Sequence, residues 1–146
     1  MGAASSTQPK LSPQLLDTQL LLRLAIAPER LPATLRVTLM DRRLPMLNKA
    51  VSLWEMALKT SHGKPGFVVD AAQLRDGLKQ QGHQELGIEP EHCLAVQHLP
   101  LIHRDPFARL LVAQAINHDL TLLTADRSIR GYGHQVIWMG DGGAGG

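Results

Sequence analysis

The feature that most constrains this chain is the alternation of short apolar runs with stretches of helical period. The clearest unit lies between Asp105 and Asp126. There, Asp105-Pro106 opens a segment whose apolar residues recur every three to four positions, and the run Leu120–Thr124 (LTLLT) follows it. An uninterrupted apolar run predicts a strand buried on both faces. Strands of that kind joined through helices build β-α units around a mostly parallel sheet. The expected architecture is therefore a three-layer α/β/α domain.

The rest of the chain fits the same scheme. A first strand is expected at Gln14–Leu16, with Pro13 only at its start because proline cannot donate to a ladder. The segment 19–27 (QLLLRLAIA) is helical in propensity and is stopped by Pro28, and Pro32 suits the first turn of a helix reaching toward Asp41. A second strand is expected at Leu44–Leu47, weakened by Pro45. From Ala50 to about His62, Val51, Trp54 and Leu58 fall at i, i+3 and i+7, which predicts one buried helical face ended by Gly63. Asp70 to Gln81 reads as a helix capped by Asp70 and stopped by Gly82, Gln84 to Ile88 as a strand, and Pro90 to His98 as a helix. Gln135–Met139 closes the sheet. Residues 14–139 thus form one domain, with 1–13 and the glycine-rich 140–146 expected as flexible tails.

A chain of 146 residues holds one hydrophobic core. No apolar run approaches the roughly 18 residues of a membrane span, and MGAASSTQPK lacks the order of a secretory signal, so a cytoplasmic location is the default expectation. The single Cys93 excludes an intramolecular disulfide and a cysteine-rich zinc site. A net charge of +2 tolerates a polyanionic partner without demanding one. An aromatic content of 3% argues against base-stacking platforms. P-loop, dinucleotide, serine-hydrolase and zinc-protease motifs are missing, and the seven histidines show no zinc-site spacing.

What remains is a set of acids at element ends. Asp17 and Asp126 follow expected strands, Glu55 lies on the Ala50–His62 helix, and Asp105 precedes Pro106. Singly, each aspartate reads equally well as a helix cap, and Glu55 as a solvated helix charge. Together, two strand-end aspartates in a parallel sheet converge on one edge, where a cluster of carboxylates repels itself unless a divalent cation neutralises it.

At this point four segments carry a resemblance. LLDTQLLLRLA, AVSLWEMALKTSHGK, LPLIHRDPFARLLVAQA and LTLLTADRSIRGYG resemble, in order, the motifs of the PIN-domain family in its VapC toxin branch, from about Leu15 to Trp138. The resemblance implies a metal-dependent endoribonuclease, the toxin half of a toxin–antitoxin pair, with Asp17, Glu55 and Asp126 coordinating Mg²⁺ or Mn²⁺. Hard cations suit oxygen ligands, which favours these ions over zinc. It also implies a homodimer and a small VapB-like antitoxin partner.

The departures bear on activity. Where the family has an aspartate after the phenylalanine, this chain carries Ala108, leaving Asp105 as the nearest substitute carboxylate. Gln19 stands where histidine is common, and Arg23 where tryptophan is common. Thr18 and Thr124 place hydroxyls beside acids, and Lys59, Arg104, Arg109 and Arg127 are candidates to hold RNA phosphates. Ala108 keeps open a PIN fold that binds RNA or a partner without cutting. A non-toxin RNA-processing PIN nuclease is a third alternative.

Overall fold

The computed structural model describes residues 13–40, 46–63, 69–133 and 135–139. Among them, β1 (Gln14–Leu16), β2 (Met46–Lys49), β3 (Gln84–Leu86), β4 (Thr121–Thr124) and β5 (Val136–Trp138) form one sheet in the order β3-β2-β1-β4-β5. Every pairing is parallel. The helices are α1 (Thr18–Ile26), α2 (Ala33–Met40), α3 (Ala50–Ser61), α4 (Ala71–Gln80), α5 (Pro90–Ala95) and α6 (Pro106–Asn117).

Local chemistry sets the helix ends. The side chains of Asp17, Asp70 and Asp105 each accept a backbone N–H in the first turn of α1, α4 and α6. Pro106 opens α6, where its missing N–H costs nothing. Beyond α4, Gly82 adopts a left-handed φ of +89°, a conformation that glycine takes without a Cβ penalty.

The strands are apolar because both faces are covered. Leu15, Leu122 and Val136 point into a cluster with Leu110, Leu111 and Val112 of α6. Their neighbours Leu16 and Leu123 point the other way, into a cluster with Leu20 and Leu21 of α1, Leu35 of α2 and Leu78 of α4. Two cores on opposite faces of one sheet make the three layers. Leu15 is wholly buried, and cutting it to alanine removes about 2–5 kcal/mol of stability.

Two strand boundaries and one helix face differ from the sequence-based expectation. The second strand runs Met46–Lys49, and the expected positions Leu44 and Pro45 lie outside the described residues, as do both expected tails apart from Pro13. The third strand stops at Leu86 rather than Ile88. The buried face of α3 is Val51, Ser52 and Met56, not the stripe of Val51, Trp54 and Leu58, and Trp54 is 50% exposed. Spacing fixes a helical stripe but not its phase. Here the phase is set by Ser52, which packs on α1 through a hydrogen bond from Thr18.

The strand order places the sheet's switch point between β1 and β4. From that seam the chain winds outward in both directions, and the carboxyl ends of strands at such a switch point are where open α/β sheets bind ligands.

Candidate functional site

Asp17 is the first residue past β1, on the seam. Its N–H still pairs with the Leu123 carbonyl (2.9 Å). Its Oδ1 accepts the Leu20 N–H (2.8 Å), while Oδ2 accepts the Thr124 hydroxyl and the Ala125 N–H (2.9 Å). The carboxyl is buried. Burial pushes its pKa above the ordinary value, and the bonds from Thr124, Leu20 and Ala125 and the charge of Arg23 pull it back. Asp17 therefore serves as a cap and is also a desolvated acid, so the two readings of this residue coexist.

The Thr124 hydroxyl ties the second acid to the first. It donates to Asp17 and accepts the N–H of Asp126 (2.8 Å). Asp126 Oδ1 accepts the N–H (2.9 Å) and hydroxyl (2.6 Å) of Ser128, capping the 3-10 turn Arg127–Tyr132. Its Oδ2 lies 3.0 Å from His103 Nε2. His103 Nδ1 accepts the Asp105 N–H (3.0 Å), so the ring's proton sits on Nε2 and points at Asp126. Partial burial pushes the Asp126 carboxyl up, but Ser128 and His103 outweigh it and hold the group below its ordinary value. Nothing in the sequence singled out His103 from six other histidines. Its place two residues before Asp105 was the only available signal.

Lys49 was also missed. The register Leu15↔Leu47 and Leu15↔Leu122, carried two residues on, sets Asp17 between Lys49 and Thr124 along the carboxyl edge. The Lys49 side chain is wholly buried and its Nζ has no hydrogen-bond partner among the described residues. Burial drives its pKa well below the ordinary 10.5, with the charge of Asp17 pulling the other way. A lysine ending an apolar strand (MLNK) directly before a helix is the trace it leaves in the sequence.

Glu55 sits one helical turn past Ser52, whose hydroxyl meets Thr18 beside Asp17 (3.1 Å). Its side chain is mostly covered and pairs with Lys59 (2.9 Å). Asp105 caps α6 through the Phe107 N–H (3.2 Å). Because only residues 118–120 separate α6 from β4, the helix runs back against the strands and its first turn, with Ala108, lies at the carboxyl edge. Ala108 packs there against the α6-side core. The geometry thus couples Asp17 with Asp126. Among the described residues, no three acid or histidine side chains gather closely enough to hold a metal ion.

The basic candidates differ in what already engages them. Arg109 is tied to the protein, with Nη1 donating to the Pro100 carbonyl (3.0 Å) and the Tyr132 hydroxyl (3.1 Å), and Nη2 to the Val96 carbonyl (3.0 Å). Lys59 is held by Glu55, and Arg104 is exposed. Arg127 lies over the Trp138 ring, 5.3 Å from its centroid. Trp54 meets Phe107 edge to face (4.8 Å, 69°) at the rim. Two open grooves, one along Ala57, Thr60 and Val69 and one along Leu24, Ile26 and Leu74, contain none of the candidate acids.

Comparison with known proteins gives this arrangement a context. The family model described as PIN domain matches residues 15–134. No curated protein sequence matches the chain significantly. Among solved structures, VapBC2 from Rickettsia felis, bound to a DNA fragment from its promoter, is similar with a TM-score of 0.59 and 15% identity, over 88% of this chain and 98% of that one. A toxin–antitoxin complex from Klebsiella pneumoniae gives 0.58 and 16%, over 85% and 95%. A protein from Pyrobaculum aerophilum gives 0.55 and 19%, over 88% and 84%.

Proposed function

The chain belongs to the PIN-domain family, and we propose that it is a Mg²⁺- or Mn²⁺-dependent endoribonuclease, the toxin half of a toxin–antitoxin pair. The observation that carries this reading is the Thr124 bridge, which holds two carboxylates from separate strand ends at the switch point. Nucleases are typical of the family. Two of the similar structures are a VapBC complex and a toxin–antitoxin complex, which supports a small antitoxin as partner. A homodimer and an RNA substrate belong to the same proposal.

The donor set suits a hard cation in kind. Asp17 and Asp126 offer carboxylate oxygens, and Asp17 is desolvated enough that a neighbouring positive charge would relieve a real cost. These two would hold the ion, with Glu55 of α3, now paired with Lys59, as the third candidate ligand. Bound Mg²⁺ or Mn²⁺ supplies a Lewis acid that lowers the pKa of a coordinated water and offsets charge on the phosphodiester oxygens. The chain's own contribution is orientation: Thr124 fixes Asp17, and His103 and Ser128 fix Asp126.

Cleavage of a structured RNA, assayed with Mn²⁺ and with EDTA, tests the proposal. The chain should cut only with the metal, and Asp17→Asn and Asp126→Asn should each slow it by more than about tenfold. Absence of cleavage with any divalent metal, for the chain and for Ala108→Asp alike, would sink the nuclease reading. A second reading is a PIN fold that binds RNA or a partner without cutting it. Ala108 in place of an acid and a buried amine beside Asp17 favour it.

A further inference from the structure

Some arginines of the chain are already engaged by the protein itself. Arg75 forms a two-point pair with Glu85 (2.6 and 2.9 Å), and Arg109 is held by carbonyls and a hydroxyl. Arg127 and Arg130 differ. Both are exposed, and neither guanidinium has an ion pair or hydrogen bond among the described residues. Instead both lie over the same indole, at 5.3 and 5.4 Å from the Trp138 ring centroid. Cation–π contact of this kind steadies a long side chain while leaving its five N–H donors available.

The position of the indole gives the pair a direction. Trp138 ends β5 and pairs with Thr124 of β4, which bridges Asp17 and Asp126. Parallel register puts paired side chains on one face, so Trp138 stands on the same face of the sheet as Thr124, one strand spacing further out, about 4.8 Å. Arg127 is also the residue directly after Asp126. The carboxylate seam therefore continues along the sheet edge into two held, unneutralised guanidiniums.

We propose that Arg127 and Arg130, steadied by Trp138, form a clamp for the phosphodiester backbone of single-stranded RNA beside the carboxylate seam. This deepens the ribonuclease reading and rests on it for the identity of the ligand. The chemistry fits, because planar guanidiniums engage phosphate oxygens in pairs. The acidic seam repels a backbone when no metal is present, so an adjacent cationic clamp is what retains the strand. The clamp reads charge rather than sequence, and it does not distinguish ribose from deoxyribose.

The test is binding of a short labelled oligouridine to the full chain, followed by fluorescence anisotropy across a salt series in EDTA, where cleavage is silent. The Arg127→Ala/Arg130→Ala double variant should bind more weakly. Its slope of log K against log salt should fall by about 1.4, close to two single-strand phosphate contacts. A double Arg→Lys variant should keep most of the slope, because the charge remains. Trp138→Leu should weaken binding with the slope largely kept. Oligodeoxythymidine should show the same loss of slope in the alanine variant, and thermal melts should confirm that the variants stay folded. An unchanged slope in the alanine variant, or no oligouridine binding by the unaltered chain, overturns the clamp. Loss of poly-glutamate binding with RNA binding intact would assign the surface to an acidic protein segment and overturn it as well. Because binding is read without metal, these outcomes stand whether or not the chain cuts RNA.

Discussion

Replacing Lys49 with methionine should stabilise the protein. The Lys49 amine is wholly buried with no hydrogen-bond partner among the described residues, and a buried polar group in that state costs about 1–3 kcal/mol. Methionine is also unbranched and fills nearly the same space, and a volume-conserving exchange costs under about 1.5 kcal/mol. The net expectation at neutral pH is a gain of about 1–2 kcal/mol, seen as a melting temperature raised by roughly 2–4 °C per kcal/mol.

The pH dependence gives the sign independently. Burial depresses the Lys49 pKa from 10.5, so over a range below that value the unfolded chain binds a proton that the folded chain does not. Through this group, stability rises with pH and the penalty disappears only above the unfolded pKa. The advantage of Lys49→Met should therefore shrink as pH climbs toward about 10. Urea titrations of both proteins at neutral and alkaline pH measure it. A variant destabilised at neutral pH, or an advantage that grows with pH, would refute the reasoning and mean that the amine has a stabilising partner in the fold.

Three further expectations concern other parts of the molecule. Ala108→Asp should tighten Mn²⁺ binding and raise RNA cleavage by about tenfold, ~1.4 kcal/mol, measured by titration calorimetry and RNA cleavage; a change in neither would leave Ala108 a plain helix former. Arg109→Ala should cost about 2–4 kcal/mol in urea unfolding, because it leaves the Val96 and Pro100 carbonyls and the Tyr132 hydroxyl without a charged donor. His92 Nδ1 accepts the Glu89 N–H, so its Nε2–H faces His118 Nε2 at 2.6 Å. Burial and then the charge of His118 depress the His92 pKa, against Glu91 and Glu89, so the unfolded chain takes up more protons below about pH 6.5 and stability falls there. His118→Gln keeps an acceptor that does not titrate, and it should flatten that acid loss as read from urea midpoints at pH 5 and 7.

Most of the fold could be read from local signals, because they were redundant. The strand Thr121–Thr124 is apolar at both alternations, α6 is opened by Asp105-Pro106, and the first helix lies between an aspartate cap and Pro28. The errors arose where a signal fixes a period but not a phase. The stripe Val51, Trp54 and Leu58 has helical spacing, yet α3 turns Ser52 and Met56 inward and leaves Trp54 half exposed against Phe107. Which face of an amphipathic helix goes inward depends on what it meets. For α3 that is the Thr18 hydroxyl of α1, a residue 34 positions away.

The site was less legible, because its organisation is carried by neutral groups and by unlike charges. Acidic residues at strand ends pointed to Asp17 and Asp126, but the group that joins them is the hydroxyl of Thr124. The group that orients Asp126 is His103, from the loop before α6. The most unusual residue on that edge, Lys49, looks in sequence like an ordinary strand-end lysine and becomes conspicuous only through its burial. In an acid-based site, Ala108 lacks the negative charge that an aspartate would supply there, which shifts the electrostatic balance away from strong divalent binding. The cationic face offered by Arg127 and Arg130 lies further along the same edge. The metal affinity of the Ala108→Asp protein, set beside that of the unaltered chain, is therefore the quantity that separates an attenuated nuclease from a binder.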